Sequence, residues 1–93
     1  MEITFDPAKN ERNIRERSLS FERVRDFDFN RALLWIDTRH DYGEARQIAL
    51  GYLDDRMHVL CFTETPTGIR VISLRRANAR EVRRYEKIQA ARG

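Results

Sequence analysis

From residue 32 onward, four segments are rich in β-branched and aromatic residues: "ALLWID", "EARQIALGYL", "MHVLCFTET" and "GIRVISLR". Turn-prone "TRHDYG", "DDR" and "TPTG" separate them. Parallel neighbours would need crossovers of a dozen residues or more, so strands joined this closely imply an antiparallel meander. Helical patterns flank them. In "DPAKNERNIRER", Asp6 suits an N-cap and Pro7 the first helical position, where its missing N–H costs nothing. The one strongly apolar residue there is Ile14, which predicts a surface helix with few apolar contacts and tertiary hydrogen bonds from Asn10 and Asn13. Ser20 can cap a second helix, "FERVRDF", whose Phe21, Val24 and Phe27 recur every three residues as a core stripe. The last segment, "NAREVRRYEKIQAA", opens on Asn78 with Glu81 three positions on, a capping box. The expected fold is α+β: a small antiparallel β-meander sheet packed with two N-terminal helices and one C-terminal helix, with "ITF" as an optional leading strand.

Ninety-three residues suffice for one domain, 1–93, because two would each bury too little apolar surface to offset their ordering entropy. No apolar run approaches the roughly 20 residues of a membrane span, and "MEITFDPAKN" lacks a signal peptide's features, so the expected setting is cytoplasmic, with no membrane partner. The single cysteine, Cys61, excludes an intramolecular disulfide and reads as a core thiol within "HVLCF". The net charge of +3 conceals an asymmetry. Residues 70–93 hold seven Arg and one Lys against two Glu, a net +6, which leaves −3 on residues 1–69. A positive field so localised suits an anionic partner such as RNA, DNA or an acidic protein.

Alternation places Arg46 with Ile48, Leu50 and Tyr52, and Arg70 with Ile72 and Leu74, whereas Arg75 falls on the opposite face with Ile69, Val71 and Ser73. Arg46 and Arg70 thus interrupt apolar faces. A guanidinium is costly to bury unpaired, so each must meet a carboxylate, with Glu44 and Glu64 the internal options, or border a cleft that receives a phosphate. On the last helix Ala79, Val82, Tyr85 and Gln89 share one side, while Arg80, Arg83, Arg84 and Lys87 form a basic stripe beside it. Such a stripe, with Arg76 just before it, can follow a nucleic-acid backbone or dock on an acidic protein.

The chain has no glycine-rich phosphate loop, no nucleophile elbow and no metal-ligand spacing, and His40 and His58 are isolated. No cofactor is called for. An enzyme built from this set would be metal-independent and arginine-rich, with Glu, Lys or Tyr moving protons. RNA cleavage suits it, because the 2′-OH supplies the nucleophile and the protein need only position it, shift protons and stabilise charge.

"FDPAKNERN", "LSFERV", "EARQIALG" and "TGIRVISLRRANAREVRRYE" resemble, in order and spacing, the BrnT toxins of bacterial type II toxin–antitoxin systems; "IRVISLRRA...E...Y" is the most specific part. The resemblance implies a RelE-like fold, RNA cleavage that halts translation, and neutralisation by a BrnA-like antitoxin in a higher-order complex that reaches operator DNA only through the antitoxin. Matched residue by residue, the family's strand-borne Glu and Arg fall on Glu44 and Arg46 and its later arginines on Arg70 and Arg75. Its lysine falls on Lys9 and its last-helix tyrosine on Tyr85. Relatives read Lys-His-Gly where this chain has Glu16-Arg17-Ser18. That departure leaves open a second role, a non-enzymatic module that binds an acidic antitoxin segment within a repressor complex.

Overall fold

The computed structural model describes residues 1–92. Its elements are β1 (Glu2–Phe5), α1 (Pro7–Arg17), 3-10 turns at Phe21–Asp26 and Phe29–Arg31, β2 (Leu33–Ile36), β3 (Gln47–Leu53), β4 (Arg56–Thr65), β5 (Gly68–Arg76) and α2 (Ala79–Arg92). Strands β2 to β5 form the expected antiparallel meander, and the leading strand exists: β1 pairs in parallel with β5, giving the sheet order β1-β5-β4-β3-β2. Glu2 approaches so closely that a Cβ on Gly68 would collide with the Glu2 carbonyl oxygen, so only glycine fits there. The second N-terminal helix is 3-10 rather than α. Its apolar spacing of three matches the three residues per turn of that helix, and Phe21, Val24 and Phe27 are all buried.

One face of the sheet carries Ala49, Leu53, Leu60, Phe62, Ile69, Val71 and Leu74, covered by Phe21, Val24 and Phe27. The other carries Leu33, Ile48, Leu50, Met57 and Val59, against which α2 packs Tyr85, Val82 and Ile88. Helix α1 attaches through amides rather than an apolar stripe. Beyond Val71, β1 no longer covers β5, and there Asn13 Nδ2 donates to the carbonyls of Leu74 (3.1 Å) and Leu19 (2.8 Å), while Asn10 Oδ1 accepts from the Phe21 N–H. Both asparagines make the expected tertiary hydrogen bonds, Asn13 to a carbonyl that the β5 edge leaves over and Asn10 to the start of the first 3-10 turn, and Asn13 is the buried residue of α1 while Ile14 is exposed.

The register corrects one expectation. Cys61 pairs with Ser73 but Phe62 pairs with Val71, so Ile72 is an extra residue, a β-bulge. Across a bulge the alternation changes phase: Ile69, Val71 and Leu74 share the first core. Arg75, opposite Val59, therefore lies on the same face as Arg70, opposite Thr63. Strict alternation had put these two arginines on opposite faces.

Candidate functional site

Helix α2 covers only part of its face. Beside it, toward the β2–β3 loop, lies a cleft of about 340 Å³ walled by Trp35, Asp37, Arg39, Cys61, Ser73 and Arg75, with Glu81 and Arg84 reaching in from α2. Each wall is set by local structure. The bulge at Ile72 turns Ser73 and Arg75 toward it. Asn78 and Glu81 form the expected capping box, each side chain accepting from the other's backbone N–H at 2.9 Å. Fixed in that way, the Glu81 carboxylate also accepts both Nη1 and Nη2 of Arg75 at 2.9 Å, a bidentate fork joining strand end to helix start. The Arg75 hydrogen bonds hold Glu81 below the usual carboxylate range, and Glu81 in turn raises Arg75.

On the opposite wall Arg39 forks onto Asp37, with Nε to Oδ1 and Nη2 to Oδ2 both at 2.9 Å, and the Tyr42 hydroxyl adds a bond at 3.3 Å. The Asp37 side chain is almost wholly buried while that of Arg39 is largely exposed. The Arg39 hydrogen bonds drive Asp37 far below the ordinary carboxylate value. The Trp35 ring carries the Arg84 guanidinium 4.9 Å from its centroid. Desolvation pushes the Cys61 thiol up, with the Arg46 charge opposing it, so this thiol stays protonated, in keeping with a core role.

Of the residues singled out from sequence, Arg75 and Arg84 line this cleft. Arg46 stands beside it, its guanidinium 3.8 Å from the Tyr42 ring centroid; Glu44 approaches its Nε only to 3.7 Å, and that Nε is buried without a hydrogen-bond partner. Arg70 shares the face but lies five residues along β5, exposed, and Glu64, one of the two carboxylates offered as partners, lies on the other face, where it accepts from Gln47 Nε2. Lys9 lines a separate cavity along α1. Tyr85 is also elsewhere: it is buried edge-on against Tyr52 and its hydroxyl donates to the Arg31 carbonyl at 2.7 Å. Arg76 points to the opposite face, beside His58. Arg80, Arg83 and Lys87 form the exposed stripe expected of α2. Among the described residues no His/Cys/Asp/Glu group could hold a metal ion.

Sequence reasoning passed over Trp35, Asp37 and Arg39, and took Glu81 only as a cap. The signal for Asp37 was present: in "LLWID" it alternates onto the face of Leu33 and Trp35, a charge interrupting an apolar stripe just as Arg46 does.

No helix is long and apolar enough to cross a membrane. No curated protein matches the chain. A family model does: residues 5–81 match BrnT, the ribonuclease toxin of type II toxin–antitoxin systems. The matched span runs from the end of β1 to the first turn of α2, so it includes both arginine–carboxylate forks, and the chain belongs to the BrnT family of ribonuclease toxins.

Proposed function

We propose that this toxin cuts RNA in the cleft between α2 and the β2–β3 loop, without a metal ion. The observation that carries this is the Arg75–Glu81 fork, which places a cation for the scissile phosphate beside an ionised carboxylate in a concave site walled by Trp35. The substrate 2′-oxygen attacks the adjacent phosphorus as Glu81 accepts the hydroxyl proton, the P–O5′ bond breaks to leave a 2′,3′-cyclic phosphate, and the departing 5′-oxygen takes a proton from water. The guanidiniums of Arg75, Arg46 and Arg39 offset the charge that builds on the nonbridging oxygens. Arginine suits this work because it stays protonated and grips two oxygens at once. Arg70, exposed on the same face, holds a phosphate farther along the strand. Glu44 sits behind Arg46 as an orienting partner rather than the base, because it is the Arg46 side chain that adjoins the cleft. Lys9 and Tyr85 have no part in the chemistry, since neither reaches the cleft.

The stripe of Arg80, Arg83 and Lys87 is where a BrnA-like antitoxin docks, and operator DNA is bound through that antitoxin within a higher-order complex. Such docking beside Arg84 would close the cleft to RNA. Purified toxin is expected to cut RNA in EDTA, and its induction without antitoxin to arrest growth in the cytoplasm. Arg75→Ala combined with Arg46→Ala should abolish both while circular dichroism is unchanged. Full toxicity in that double variant would remove the site, and harmless expression of folded wild-type protein would instead favour the non-enzymatic module.

A further inference from the structure

The other side of the end of β5 holds a second concavity, of about 420 Å³, which the RNA-cleaving site does not use. Register builds it. His58 stands opposite Arg76, and Arg56 opposite Leu53, so these side chains share the face away from α2. Arg17 completes it from the end of α1, steadied by its bond to Asn13 Oδ1 at 3.0 Å and by a longer one to the Leu74 carbonyl. Among the described residues Arg17, Arg56 and Arg76 form no ion pair; Arg23, the fourth arginine here, is taken by Asp54 at 2.7 Å, and Asp55 is the remaining acid. Four arginines against two aspartates leave this concavity positive.

His58 gives it a polarity that a bare cationic patch lacks. It is 5% exposed, and its Nδ1 lies 2.8 Å from the Arg56 carbonyl oxygen. A carbonyl only accepts, so Nδ1 carries a proton, and in the uncharged tautomer this leaves Nε2 as the acceptor. Unpaired guanidiniums want an anion, and a bare imidazole nitrogen wants a hydroxyl donor. A ribonucleotide supplies both, the phosphate and the ribose 2′-OH, and the 2′-OH is the group DNA lacks. The concavity also joins the first cleft: Arg17 and Arg76 border a third hollow together with Arg75, which itself walls the cleft at Glu81.

Resting on the ribonuclease reading, we infer that the groove formed by Arg17, Arg56, Arg76 and His58 is a second RNA subsite, so that a substrate strand bends around the end of β5 with its scissile phosphate at Arg75 and a flanking ribonucleotide at His58. Short RNA fills only the first cleft. Longer RNA gains affinity from the second.

Stopped-flow fluorescence anisotropy with labelled oligoribonucleotides of about three and about twelve nucleotides reads binding before cleavage. Arg56→Ala should weaken the longer RNA about fivefold and lower its salt slope by about one, leaving the shorter RNA unchanged. Arg56 is exposed and its side chain makes no hydrogen bond among the described residues, so this variant keeps its fold. His58→Ala should reduce the preference of the site for the longer RNA over DNA of the same sequence. Unchanged binding of the longer RNA, or equal weakening of both lengths, would overturn the second subsite while leaving the first intact. If RNA binding is unchanged but the complex with the antitoxin is lost, the occupant is an acidic peptide and the inference fails. A wild-type protein that binds neither RNA would sink the ribonuclease reading itself.

Discussion

The two faces of the sheet are built to different ends. The face toward the 3-10 turns is apolar where three residues spaced one 3-10 turn apart close it, and carries charge at its far end, at Arg56 and Arg76. The α2 face is apolar only under the helix; beyond Tyr85 and Val82 it opens into two arginine–carboxylate forks and an exposed arginine row. Burial without charge stabilises the core of the first, whereas the second tolerates charge because each cleft carboxylate is held by a guanidinium that itself reaches solvent. The lesson lies in how they are kept apart. One extra residue, Ile72, returns Leu74 to the core and sends Arg75 to the cleft.

Placing a charge on the closed side of the bulge tests that division most severely. Leu74→Asp puts a carboxylate where the leucine is fully buried, and the expected loss, above about 4 kcal/mol, would leave no cooperative thermal transition. A variant that melts like wild type would show that the bulge does not hold Leu74 in the core. Leu60→Ala, on the closed face, should cost about 3 kcal/mol in urea unfolding and leave the cleavage rate of the folded fraction unchanged. Arg75→Ala, on the open face, should do the reverse: kcat/KM for RNA cleavage falls about 100-fold, with stability changed by less than about 1 kcal/mol. Equal stability losses in those two variants would erase the distinction between the faces.

Asn13→Ala sits between them. It removes donors from the Leu19 and Leu74 carbonyls at the β5 edge and should cost about 1–2 kcal/mol. The smallest effect is in pH. Glu81 is depressed in the folded state, so the stability it contributes is present above its ordinary value of 4.5 and is lost as pH falls through the lowered folded value. Stability of the wild type should therefore decline more steeply with acid over that interval than that of Glu81→Gln; parallel declines would show that the fork does not stabilise the fold.

The strand segments, the Asp6–Pro7 and Asn78–Glu81 helix starts, and the tertiary role of Asn10 and Asn13 were legible because they rest on local chemistry: alternation, capping and amide donors. Arg46 and Arg84 were likewise legible as charges in patterned surroundings. The Arg75–Glu81 fork was visible only in halves, an arginine at a strand end and a helix cap, because nothing in either segment states that they meet.

By itself the sequence determined a four-stranded meander flanked by helices, with its positive charge gathered toward the C-terminus, since side-chain period and turn residues act over a few positions. The tertiary structure alone decided that Arg70 and Arg75 share a face, that Tyr85 is spent on the Arg31 carbonyl, and that Asp37 and Trp35 wall the cleft. A bulge is a relation between two strands, set by which pairing best fills the core they share, and no single strand carries that information.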